Sequence, residues 1–158
     1  RLLKHQSKKT WPFNVIFVLQ NMNDSEKLIK KLQMIPHPEG GHFKESYRDE
    51  NISLIYYLLK KNEKSHWHRL TKNEILHFYD GDPLVVSLSK NGIDMHKIIL
   101  NNSEDQLSHF VVNSGTWFSM ETKGKYSLIG CTVSPPFDYN DFELAAPGWS
   151  PKNFNQNH

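Results

Sequence analysis

The amino-acid sequence predicts an all-β domain, a sandwich or closed barrel of antiparallel strands, with one short helix near its N-terminal end. Three observations predict it. From His42 onward, runs rich in branched and aromatic residues recur with turn signals about every eight to twelve residues. Those turn signals are chemically specific: Asp82-Pro83, Asn91-Gly92, Ser114-Gly115 and Lys123-Gly124. Helical patterning belongs to the stretch after Asp24, where Leu28, Ile29 and Leu32 form one stripe and Lys27, Lys30 and Lys31 face away.

A chain of 158 residues suffices for one domain with a real hydrophobic core. Its 19 basic and 17 acidic residues leave a formal charge of +2, and the lysines are interspersed with acidic and polar neighbours, so nucleic acid is not an expected partner. The one cysteine, Cys131, cannot form an internal disulfide, which points to a reducing, cytoplasmic setting. Residues 1–22 read as an N-terminal extension, 23–150 as the domain and 151–158 as a tail. The run Trp11 to Leu19 is interrupted by Pro12 and Asn14 and is too short to span a bilayer. It leaves three readings: a targeting segment, a docked strand marked by Val15, Phe17 and Leu19, or an extension without a role ahead of a start at Met22. The sequons at Asn23, Asn51 and Asn101 do not establish secretion in a chain so rich in asparagine.

In order along the chain, Asp24 or Ser25 is the expected N-cap of the helix, which ends before Pro36. Pro36-His37-Pro38-Glu39-Gly40-Gly41 imposes a tight, irregular turn and lacks the lysine of a phosphate loop. The strand His42 to Arg48 alternates so that Phe43, Glu45 and Tyr47 share one face. Glu45 is then either tied to an arginine or backbone amides, or a ligand contact, because an unpaired buried carboxylate costs several kcal/mol. Ile52 to Leu59 is nearly all apolar and suits a strand covered on both faces. Leu84 to Leu88, Met95 to Leu100, Phe110 to Asn113, Thr116 to Met120 and Tyr126 to Ser134 continue the series until Pro135-Pro136 stops it.

Between the strands at 52–59 and 84–88, Ser65 to Gly81 carries the chemistry. On a regular strand His66 and His68 would present both imidazoles on one face, with Trp67 on the other, and Glu74 follows. That is metal-ligand spacing. The same alternation turns His77 away from Glu74 and Arg69 away from His68. His77 therefore reads as a packing histidine and Arg69 as a surface ion pair. Cys131, between Ile129 and Val133, reads as a small buried hydrophobe.

His66-x-His68, Glu74 and Gly81 resemble the first signature of the cupins, with a gap before the glutamate that is a residue or two longer than usual. Asn113-x-Gly115-x-x-Phe118 sits where cupins carry their second. More closely, His37-Pro-Glu-Gly-Gly41, Glu45-Ser-Tyr-Arg48, Trp67-His-Arg69, Glu74-Ile-Leu-His-Phe-Tyr79, Gly81-Asp-Pro-Leu84, Gly115-Thr-Trp117, Gly130-Cys-Thr-Val133 and Asp141-Phe-Glu-Leu-Ala145 resemble the fifth cupin family. The resemblance spans about residues 24 to 149. It implies a double-stranded β-helix, or jelly roll, usually paired as a homodimer, with a pocket open at one end of the barrel. Members are similar in shape to sugar epimerases and metal-dependent oxygenases alike, so the reaction must be argued from the site.

Phe118 decides that argument. Metal-binding cupins place a histidine there, and a phenyl ring has no donor atom. His66, His68 and Glu74 alone could still form a facial triad with open positions for a divalent metal. The expected cofactor is none, with metal as the alternative. Without metal, His68 is the expected general base, oriented by Glu74, with Tyr47 or Tyr56 donating the opposing proton. Glu45, Phe43, Tyr56, His66, Trp117 and Phe118 are the expected ligand contacts. The expected function is binding of a small polar, sugar-like or carbonyl ligand, with metal-independent isomerase or epimerase chemistry; a binding protein without turnover is the alternative.

Overall fold

The computed structural model describes residues 22–154. The readings offered for the first stretch of chain fall outside that range, Met22 apart. A helix, α1 (Asp24–Leu32), opens the domain. Its N-cap is Asn23, one residue before either expected cap. The Asn23 side chain accepts from the Glu26 amide at 2.9 Å and the Glu26 carboxylate accepts from the Asn23 amide at 3.1 Å. This reciprocal capping box satisfies two orphan donors, which Asp24 or Ser25 alone would not.

Twelve strands follow: β1 (Ile35–Pro36), β2 (His42–Arg48), β3 (Ser53–Lys60), β4 (Lys64–Leu70), β5 (Glu74–Gly81), β6 (Leu84–Ser89), β7 (Asp94–Leu100), β8 (His109–Val112), β9 (Trp117–Thr122), β10 (Tyr126–Val133), β11 (Phe142–Leu144) and β12 (Asn153–Phe154). A 3₁₀ turn, Tyr139–Asp141, precedes β11. One sheet has the order β1-β2-β3-β10-β5-β8 and the other β11-β4-β9-β6-β7-β12. Among the described residues every strand pairing is antiparallel except β12 with β7, which draws part of the expected C-terminal tail into the sheet. This is the jelly roll that the strand series and the motifs lead one to expect. Among the described residues no helix is long and apolar enough to cross a membrane.

Between the sheets lies a continuous apolar core built from residues such as Leu59, Leu76, Val86, Leu88, Phe118, Met120 and Ile129. A second cluster, Met34, Leu58 and Leu128, sits under Leu28, Ile29 and Leu32 of α1. Tyr57 and Leu59 therefore face the barrel while Leu58 faces the helix, and β3 is covered on both sides as its composition requires.

Two irregularities decide which side chains reach the barrel interior. Against β3, Glu45 and Tyr47 pair with the consecutive residues Ile55 and Leu54, so Ser46 is an extra residue in β2. Against β9, Ser65 and His68 pair with Met120 and Phe118, so β4 also carries one residue too many. Each bulge reverses the in-out alternation beyond it.

Candidate active site

A cavity of about 270 Å³ opens between β2, β3, β5 and β10 on one side and β4 on the other. Its floor holds His37, Glu39, His68, Glu74 and Cys131. Glu45 and Arg48 stand on β2, and Phe43, Phe137, Tyr139 and Phe142 supply aromatic wall.

Glu39 reaches this floor through the turn that carries it. The His37 amide donates to the Gly41 carbonyl and the Gly40 amide to the His37 carbonyl, each at 3.0 Å. Gly40 and Gly41 adopt φ of 109° and 68°, which side chains of L-residues rarely allow. A Cβ on Gly40 would also run into the Lys64 carbonyl. The turn is clamped from both neighbours: the His66 amide donates to the Glu39 carbonyl at 2.7 Å, and the Tyr57 hydroxyl to the Gly40 carbonyl at 2.6 Å. Closure against β3 and β4 drives the Glu39 carboxyl inward, to 7 % exposure.

The bond pattern around Glu39 fixes the location of a proton. His68, 2 % exposed, places Nδ1 2.7 Å from the His66 carbonyl, so Nδ1 carries a hydrogen and donates it. Nε2 then faces Glu39 Oε2 at 3.2 Å. A lone pair opposite a carboxylate would be repulsive, so one proton is shared between these atoms. Glu39 Oε1 accepts from the Ser65 hydroxyl at 3.1 Å. Burial raises the Glu39 pKa, opposed by His37 and by the hydrogen bond from Ser65; burial lowers that of His68, opposed by the charge of Glu74. The Glu39 amide donates to His37 Nδ1 at 3.2 Å, which leaves the His37 hydrogen on Nε2.

Glu74 enters from the start of β5 at 8 % exposure, with the Cys131 thiol as a hydrogen-bond neighbour. Burial, with the Glu39 charge adding, pushes its pKa up to about 7 against the pull of His68. The same burial holds the Cys131 thiol well above its ordinary range, so it stays protonated and inert, as a buried cysteine should.

At the mouth Arg48 donates from Nε to Glu45 Oε2 at 3.0 Å, with Nη2 2.9 Å from the same oxygen. Nη1 and Nη2 both donate to the Phe137 carbonyl at 3.0 Å. The Phe137 amide in turn donates to Ser53 Oγ at 2.8 Å, and Lys72 holds Asp141 at 2.5 Å and the Pro136 carbonyl at 2.8 Å. The segment from Pro136 to Phe142 is thereby pinned over the cavity with its aromatic rings on the wall.

Of the residues expected at the site, His68, Glu74, Glu45 and Phe43 line the cavity. Phe118 is fully buried behind His68, its ring centroid 4.0 Å from the imidazole. The others stand elsewhere. Tyr47 is 52 % exposed, with its hydroxyl donating to Asp49 at 3.0 Å, because the Ser46 bulge turns Arg48 inward in its place. Tyr56 packs under α1, since it is Tyr57 whose parity faces the barrel. His66 points outward to the Ala146 carbonyl at 3.2 Å, because the β4 bulge separates it from His68. Trp117 lies outside against Trp149 at 4.7 Å and under the guanidinium of Arg69, which pairs with Glu143 at 2.7 Å. His77 sits on the outer face, 3.4 Å from Thr132 Oγ1.

Glu39, His37 and Arg48 are the site residues that strand alternation overlooks. Their signals were a carboxylate set immediately before paired glycines and the Glu-Ser-Tyr-Arg motif.

The donor set does not fit the metal site expected of a barrel of this kind. Phe118 fills one ligand position with carbon, His66 faces away, and both nitrogens of His68 already have partners. Among the described residues no group of three or more His, Cys, Asp or Glu side chains is disposed to hold a metal ion.

Comparison with known proteins gives a consistent picture. The family described as "Cupin superfamily (DUF985)" matches residues 26–145. A protein from Shewanella oneidensis is 33 % identical, with 79 % of this chain and 86 % of that one covered at a TM-score of 0.75. A hypothetical protein from Leishmania major is 29 % identical, with 80 % and 90 % covered and a TM-score of 0.69. Oxalate decarboxylase from Bacillus subtilis, at 13 % identity, a TM-score of 0.57 and coverage of 69 % of this chain and 29 % of that one, shares the fold alone. No curated protein matches the chain.

Proposed function

The chain belongs to the cupin superfamily, in the DUF985 family, and on that footing we propose that it binds a small polar carbonyl or sugar-like ligand in the barrel and isomerises or epimerises it without metal. The observation that carries this reading is the proton shared by Glu39 and His68 in a cavity that also holds Glu74.

The chemistry needs a base on one side of a carbon acidified by a carbonyl and an acid for the carbonyl oxygen. Glu74, with a pKa near 7, takes the C–H proton in its ionised form. The proton shared by Glu39 Oε2 and His68 Nε2 passes to the carbonyl oxygen as the electron pair of the broken C–H bond moves into a C=C bond, giving an enediol. Glu74 then delivers its proton to the former carbonyl carbon while the neighbouring enediol hydroxyl gives its proton to the Glu39–His68 pair, so the carbonyl moves by one carbon and both stations end as they began; delivery instead to the opposite face of the original carbon, with the first oxygen's proton returned to the pair, gives the epimer. Low dielectric strengthens these transfers, since each charge is felt more strongly than in water. His37 donates through Nε2 and the aromatic wall packs against the ligand's carbon face.

The test is solvent exchange. Small aldoses, ketoses and related carbonyl compounds that raise the melting temperature are incubated with enzyme in D₂O and followed by NMR. Deuterium should enter the carbon next to the carbonyl, and His68→Gln or Glu74→Gln should abolish it. A ligand that binds and is returned without exchange would establish a binding protein instead. The paired assembly expected for the family belongs to the same proposal and is checked by sedimentation of the full chain.

A further inference from the structure

We infer that the cavity selects a single-ring polyhydroxy ligand without an anionic group and excludes its carboxylated and phosphorylated counterparts. This rests on the proposed binding role and narrows it by charge and size. Among the described residues that line the cavity, Arg48 is the one lysine or arginine. Its fork is already engaged, by Glu45 through Nε and Nη2 and by the Phe137 carbonyl through Nη1 and Nη2. An arriving carboxylate or phosphate would have to displace Glu45 while that carboxylate stayed at the mouth.

Deeper in, the anion would meet two more carboxyl groups, Glu39 and Glu74, and no compensating cation. His37 and His68 are held below their ordinary pKa by burial. The Glu39–His68 pair is neutral overall, and Glu74 adds a negative charge once it ionises. Setting like charges together at side chains shielded from solvent is unfavourable.

The same groups suit hydroxyls. A hydroxyl both donates and accepts, and the lining offers acceptors at Glu45 and Glu74 beside a donor at His37. Phe43, Phe137 and Phe142 supply flat apolar surface for the C–H face of a ring. An apolar cavity of about 150 Å³ holds benzene. The roughly 270 Å³ here therefore has room for one six-membered ring with its substituents.

The experiment is a calorimetric panel at pH 8 on the full chain: neutral aldohexoses and ketohexoses, the matching uronic acids, the matching 6-phosphates and the matching amino sugars. Neutral hexoses should bind at least about tenfold more tightly than their uronic acids and phosphates. Glu45→Gln, which frees the Arg48 fork at a half-exposed position, should shrink that ratio to about threefold or less. Uronic acid or phosphate binding as tight as the neutral sugar overturns the charge selection and leaves a ligand-binding cavity standing. Amino sugars should bind at least as tightly as the neutral sugars, since the lining is acidic; amino-sugar binding as weak as that of the uronic acids overturns the charge argument. If no sugar binds but small non-sugar carbonyls do, the inference fails alone; if nothing binds, the proposed function fails with it.

Discussion

Glu39 Oε2 lies 3.2 Å from His68 Nε2 in a cavity that hides both side chains from solvent. One comes from a glycine-rich turn and the other from a bulged strand, and they meet because that turn is clamped between Tyr57 and the His66 amide. Neither group is a complete acid or base alone. Together they hold one proton on the lining of the cavity.

Glu39→Gln should keep the fold and reduce proton exchange at the ligand carbon by about a hundredfold or more, the usual weight of a general acid–base group. Losing the carboxylate also lowers the His68 pKa further, by removing the charge that favours imidazolium. A ¹⁵N titration of the imidazole reads that shift, and an unchanged His68 titration would mean the two side chains do not share a proton.

Glu74 makes stability depend on pH. Its folded pKa, about 7, exceeds the 4.5 of an ordinary glutamate. The folded state therefore holds its proton after the unfolded state has released it, so the contribution is full below about 4.5 and is lost as pH rises through 7. The loss amounts to roughly 3 kcal/mol. Urea unfolding from pH 4.5 to 8 should show wild type declining relative to Glu74→Gln, and parallel curves would contradict a buried, proton-holding Glu74.

Arg48→Ala removes the links to Glu45 and the Phe137 carbonyl. Because the guanidinium is partly solvated, global stability should fall by no more than about 1 kcal/mol. Hydrogen exchange between Pro136 and Asp141 should accelerate more than elsewhere, and ligand affinity should drop with it.

Gly40→Ala forces a Cβ towards the Lys64 carbonyl at a φ that disfavours side chains. A cost of about 1–3 kcal/mol is expected. The larger effect should be on binding, since the turn cannot tilt without moving Glu39. Thermal unfolding and ligand titration separate the two.

His66→Ala and Tyr47→Phe should leave ligand affinity and exchange unchanged, because both side chains stand outside the cavity. Each loses one solvent-accessible hydrogen bond, so stability should hardly change. Loss of activity in either would place that residue at the site after all.

Much of the architecture was legible in the chain. The doubly covered β3 followed from its apolar run, the Asn91-Gly92 hairpin from its turn chemistry, and the helix from one stripe. The site was legible only in part. His68 and Glu74 could be named from their motif, but the faces assigned to His66 and Tyr47 assumed unbroken alternation, and a bulge intervenes in each strand.

What the sequence determined by itself was local: periodicity, turn chemistry and motif spacing, which together specify a cupin barrel. What only the tertiary structure decided was direction. An extra residue in β2 exchanges Tyr47 for Arg48, an extra residue in β4 removes His66, and the parity of β3 puts Tyr57 where Tyr56 was expected. Ladder register is a property of the paired strands, because a bulge exists only relative to its partner. The burial of Glu39 has the same origin, since the hydrogen bonds that turn it inward come from β3 and β4, many residues away along the chain.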